Sequence, residues 1–247
     1  MNDIYARAST CVACHLNLDE PLRRAGHPEL RFELDGQIED EPPHFRDERP
    51  WLGARQWLAG QAVALREFSW KLAGKPQEGG KGEGAGKREA LAKEDQAALM
   101  TRWRALRWLL IKTDMGQKVL PQGEDFDAMQ RAADQLARQA AGGDWSKQQV
   151  GALLHRIVAT GTEFSDNKPG NEELRRRAEI LVPAIQRLWI AYRKGAGITP
   201  EDAKQFDDRL KQANFDALKD KFFVATDFKV DLEKLQELLP VDANDQK

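Results

Sequence analysis

Scarcity marks this chain before any pattern does. Its 247 residues hold only two cysteines, Cys11 and Cys14, so no disulfide framework staples it. No run approaches the roughly 18 apolar residues of a membrane-spanning helix, so no span is expected. Lys and Arg (38) nearly balance Asp and Glu (40), which leaves a net charge of −2. That balance excludes the basic surface of a general nucleic-acid binder. Strand-like alternation is confined to Leu30-Arg31-Phe32-Glu33-Leu34, and no repeat of fixed period appears, so sheets and solenoids drop out. The first ten residues lack the apolar stretch of a signal peptide.

What is present starts with the two cysteines. They stand in Cys11-Val12-Ala13-Cys14-His15. A C-x-x-C-H run is the pattern of covalent c-type haem attachment, in which two thiols add to the haem vinyl groups and the adjacent histidine ligates the iron. The expected cofactor is one covalent haem c per chain. Haem c is attached outside the bacterial cytoplasm, so the expected location is periplasmic or extracellular. The missing signal then becomes an expectation of an export segment upstream of Met1.

Two other readings use the same residues. A zinc site would join Cys11 and Cys14 to two of His27, His44 and His155. Structural zinc sites pair C-x-x-C with a second close pair of ligands, and these histidines are far apart. A thioredoxin-like dithiol would need a strand–helix–strand pattern around the motif, and none is there.

Haem iron takes a sixth ligand or keeps an open site. The sequence has four histidines. His15 is the proximal ligand by motif. His27, in Gly26-His27-Pro28, and His44, in Pro42-Pro43-His44-Phe45, lie in proline-stiffened segments close to the haem in sequence. Extended chain spans about 3.3 Å per residue, so either can pass round a haem edge. Met115 is a third candidate, in an expected loop. His155 lies between Leu154 and Ile157 and reads as a partly buried helix histidine. Bis-histidine ligation is the leading version, and it implies a low potential and a closed iron.

The fold class expected is mostly α: an irregular haem-binding N-terminal segment over residues 1–47, then a helical bundle. Helices are expected over residues 50–73, 88–113, 124–141, 146–159, 172–194, 200–213 and 227–239. In the first, Trp51, Leu58, Leu65 and Leu72 recur at heptad spacing, with Ala54 and Phe68 on the same face. Asn171 and Thr199-Pro200 are helix starts, Pro183 should kink its helix, and Pro240 ends the last one. Residues 74–87, rich in Gly, Lys and Glu, read as a linker. The expected organisation is therefore a haem segment with its first helix (1–73), the linker (74–87) and the bundle (88–247). The seven tryptophans read as core rather than as an electron-hopping path. Arg102, Arg104 and Arg107, interleaved with Trp103 and Trp108, read as a solvated helix face.

Beyond the motif, residues 11–72 resemble the start of certain bacterial multihaem c-type cytochromes. The match runs from Cys11-x-x-Cys14-His15 through His27-Pro28-Glu29-Leu30-x-Phe32-Glu33-Leu34 and Pro42-Pro43-His44-Phe45 to Ala54-Arg55-x-Trp57-x-x-Gly60-Gln61. The resemblance implies electron transfer through helical, haem-bearing domains. It favours His44 over His27 as the sixth ligand, because the family's HPEL histidine serves a second haem. This chain departs where the family places further C-x-x-C-H motifs: the Gly-rich stretch stands there instead, implying one haem where relatives carry several.

The expected function is that of a single-electron carrier between redox partner proteins, other cytochromes or copies of itself among them. Two alternatives stand beside it: a haem enzyme with an open distal site acting on a small substrate, for which no acid–base pair is assignable, and, ranked below that, a zinc-stabilised helical interaction module.

Overall fold

A computed structural model describes residues 3–16, 51–74, 93–166 and 171–240, with backbone alone at 13–15, 93–95 and 220. Among these residues the chain forms nine α-helices and no strand. They are α1 (Ile4–Leu16), α2 (Leu52–Ala73), α3 (Lys93–Leu110), α4 (Asp114–Val119) and α5 (Phe126–Gly142). There follow α6 (Lys147–Val158), α7 (Glu172–Ala196), α8 (Pro200–Ala217) and α9 (Ala225–Glu237). A 3-10 turn, Ala159–Glu163, extends α6, and a second, Asp220–Phe222, precedes α9. The mostly helical bundle read from the sequence is what the structure contains.

Capping fixes most of the helix starts. Asp125 accepts from the Ala128 amide at 3.0 Å, and Asn171 from that of Leu174 at 3.1 Å. Thr199 accepts from the Asp202 amide at 3.2 Å. Ser146 and Gln149 form a reciprocal capping box. Each cap satisfies a backbone donor that the helix leaves open, at a gain of about 1 kcal/mol. Gly197, with φ 69°, closes α7 in the left-handed conformation that glycine adopts without strain.

The centre of the bundle is the pairing of α2 with α5. Both bury small residues: Ala54, Ala59 and Ala62 on α2, and Ala133, Ala137 and Ala140 on α5. Small side chains let the two backbones approach closely. Helix α1 packs into the groove between them. Helix α7 lies across α2 and α3 and carries α6 and α8, while α9 packs on α8, α6 and the first 3-10 turn. One apolar core runs from Ile4 to Leu239, through both sides of the Gly-rich stretch.

Four details differ from the sequence reading. Residues 4–16, expected to be irregular, form α1. Residues 114–119, expected as a loop around Met115, form α4, because the Thr113 hydroxyl caps it by accepting from the Gly116 amide at 2.9 Å. Helix α8 runs to Ala217 rather than to 213, because Phe206, Leu210, Ala213 and Ala217 continue one buried stripe. Trp51 stands outside α2 at φ 61°. Its ring lies over Gly195 on α7, where a Cβ would meet the ring at 2.4 Å. Pro183 sits inside α7 without ending it.

Candidate functional site: the motif helix and its polar seam

Helix α1 presents three stripes. Ile4, Ala8 and Val12 recur every fourth residue and are buried in the core. Tyr5 and Ser9 lie to one side, against α2 and α5. Arg7, 2% exposed, lies on the other side, one turn before Cys11. The helical backbone continues through residues 11–15 to Leu16. Positions 11, 14 and 15 therefore share one helix face, as i, i+3 and i+4 residues do. The Cys11 thiol is free and half-buried at the edge of the core.

That donor set fits a covalently held haem c. The group needs two thiols and an imidazole on one side of the backbone, and the helical register supplies that order. Cys11 is described with its side chain; Cys14 and His15 are placed by backbone alone. His27 and His44 lie outside the described residues, as does the HPEL stretch.

The Tyr5 side of α1 is held by a polar network. Tyr5 Oη donates to Asp134 Oδ1 of α5 at 2.5 Å. Arg66 Nη1 of α2 donates to the same oxygen at 2.8 Å, to Ser9 Oγ at 3.2 Å and to Tyr5 Oη at 3.3 Å. Arg138 donates to Asp134 Oδ2 at 2.9 Å and to Tyr5 Oη at 2.7 Å, with its guanidinium 3.9 Å above the Tyr5 ring centre. Burial raises the Asp134 carboxyl. The hydrogen bonds from Tyr5, Arg66 and Arg138 outweigh that and leave it below the ordinary carboxylate value. Burial lowers Arg66, but Asp134 and Glu67 outweigh it and leave the guanidinium above its ordinary value. At the far end of α1, the Lys71 ammonium of α2 donates to the Leu16 carbonyl, one of the acceptors the helix terminus leaves open. Two helices, α2 and α5, thus fix α1 in register beside the motif.

The remaining candidates take structural places. Met115 sits in the first turn of α4, half-buried, with its methyl 3.6 Å from where a Gly143 Cβ would stand. His155 of α6 is half-buried, and its Nε2 donates to the Pro240 carbonyl at 2.9 Å. Trp103 donates to Ser69 at 2.8 Å, Trp108 to Glu163 at 2.7 Å and Trp189 to Asp207 at 2.8 Å, each with its ring in the core. Arg104 is exposed and bonded to Glu124 at 2.8 Å, and Arg107 donates to the Pro121 carbonyl at 3.1 Å. Among the described residues no three His, Cys, Asp or Glu side chains form a metal cluster. No described helix is long and apolar enough to cross a membrane.

The sequence reading missed the Tyr5–Arg66–Asp134–Arg138 network. The only local sign of it is the i,i+4 spacing of Asp134 and Arg138. Its other members, Tyr5 of α1 and Arg66 of α2, come from two separate helices. No family model, curated protein or solved structure matches this chain.

Proposed function

We propose that this protein is a monohaem c-type cytochrome of the periplasm or extracellular space that carries single electrons. The observation that carries the reading is Cys11-x-x-Cys14-His15 set along one face of a helix that α2 and α5 hold in place. Cys11 and Cys14 would hold the haem through two thioether bonds. His15, together with His44 or His27, would supply the imidazoles that bind its iron. The bound group supplies one-electron exchange between ferric and ferrous iron.

The chain's own residues do the rest. Tyr5, Ser9, Arg66, Asp134 and Arg138 fix the motif helix, so that electron exchange requires little reorganisation of the ligand carrier. Ile4, Ala8 and Val12 supply the apolar floor. The helical part beyond α2 exceeds what one haem needs and serves as a docking scaffold for a redox partner, another cytochrome or a second copy.

The test is secretion in a host that matures c-type cytochromes, followed by an optical spectrum after reduction in alkaline pyridine. A haem c band that survives acid–acetone extraction is expected, lost in the Cys11→Ala/Cys14→Ala double variant. A colourless protein would overturn the reading. In the coloured protein, His44→Ala should convert the ferric iron to high spin while His27→Ala leaves it low spin; the reverse pattern assigns His27 instead.

A further inference from the structure

Two buried carboxylates meet where α8 and α9 pack, away from the motif helix. Asp216 is in the last turn of α8 and is 7% exposed; Asp231 is in the middle of α9 and is 5% exposed. Their side chains are hydrogen-bonding neighbours. Two ionised carboxylates have only acceptors to offer each other, so a bond between them needs a proton.

The surrounding donors do not remove that need. Gln212 Nε2 donates to Asp216 Oδ2 at 2.9 Å, and the Lys219 ammonium pairs with Asp216 Oδ1. Arg209 Nη1 reaches Asp231 Oδ1 at 3.3 Å, near the long limit of such a bond. Asp231 Oδ2 is buried with no donor among the described residues. Asp227, one turn earlier on α9, acts on Lys219. Lys234 and Glu237, further along α9, line a surface cavity with Arg209 and Gln212, and three groups of the other elements packed here have partners of their own. Arg193 of α7 binds Asp207 at 2.8 Å. Glu163 of the 3-10 turn binds Lys112 at 2.5 Å. His155 of α6 binds the Pro240 carbonyl.

The geometry points to a latch: one proton shared between Asp216 and Asp231 fastens α9 to α8, and its release as the pH rises loosens the hairpin. Burial and the Asp216 carboxylate push Asp231 up to about 6, while the donors on Asp216 keep that group below its ordinary 3.8. A carboxyl raised in the folded state holds its proton where the unfolded chain has lost its own. Its contribution is complete below the unfolded value and is lost as the pH climbs through the folded one. Loosening exposes the seam that buries Phe228, Leu232 and Leu235. Phe215, Leu218 and Phe222 are already exposed at the end of α8 and in the turn after it.

Hydrogen exchange of the α9 amides, corrected for intrinsic rate, tests this in the full chain. Opening should rise by up to about tenfold per pH unit between roughly pH 4 and 6, then level off. Asp231→Asn carries a permanent donor toward Asp216 and should flatten that rise. Where Asp231→Asn does not fold, Asp216→Asn places the donor on the other side and should flatten it as well. His155→Gln should leave the rise intact. A flat profile in the wild-type protein, an undiminished rise in the folded Asn variants, or a rise abolished in His155→Gln would each overturn the latch.

Discussion

Helices α1 and α9 are the same length, 13 residues each, and they are held to the body by different means. Helix α9 buries Phe228, Leu232 and Leu235 in an aromatic seam, with Phe228 4.9 Å from Phe164 and 6.0 Å from Phe223 between ring centres. Among its described residues, helix α1 buries Ile4, Ala8 and Val12 on its apolar floor, and it adds a network of directed, charge-assisted bonds through Tyr5 and Ser9. Apolar burial scales with area and is indifferent to small rotations of a helix. Hydrogen bonds to a carboxylate and guanidinium groups specify angle and register. Under the proposed haem reading, a helix that carries the attachment motif is better served by the second device.

The sharpest way to break this contrast is to remove the aromatic anchor of α9. Phe228→Ala should cost about 3–5 kcal/mol in denaturant unfolding, the range for emptying a buried aromatic site. A cost near that of an ordinary surface change would show that α9 depends on its polar contacts after all.

Asp134→Ala comes next. It removes the acceptor shared by Tyr5, Arg66 and Arg138 at a half-buried site, and about 1–2 kcal/mol is expected. The pH dependence carries the finer test. Asp134 is held below its ordinary 3.8, so its contribution is present above the unfolded value and is lost as the pH falls through the folded one. Acid unfolding followed by circular dichroism should therefore flatten in Asp134→Ala below about pH 4. The sign is opposite to that of the α8–α9 carboxyl pair, which weakens as the pH rises, so the two helices should respond to pH in different directions.

The smallest effect belongs to a site in neither helix. Ser146→Ala removes one half of the α6 capping box and should lower stability by about 1 kcal/mol, read as a modest drop in the melting midpoint. A larger loss would mean that α6 is coupled to α9 through more than their apolar contact.

Much of this architecture was legible in residue order. The caps at Asn171 and Thr199 and the apolar periodicity of α2, α5, α6 and α7 are local signals, and local backbone chemistry acts on them directly. Helix α1 escaped because its buried stripe is short and two of its three members are small. Helix α4 escaped because six residues carry too little periodicity, and its start rests on one threonine hydroxyl. Trp51 fitted the heptad of α2, yet its ring is taken by the bare backbone at Gly195, a neighbour far along the chain. The polar seam of α1 joins Tyr5, Arg66 and Asp134, whose separations in sequence follow no period.

The sequence by itself determined that the chain is helical, where most helices begin, and that two thiols and an imidazole stand in the order a covalent haem requires. These follow from short-range steric and hydrogen-bonding rules. Only the tertiary structure decided which helix carries that motif, which partners fix it, and that two carboxylates distant from it are buried side by side. Those outcomes depend on which helix faces meet, and that is settled by packing all of them around one core at once.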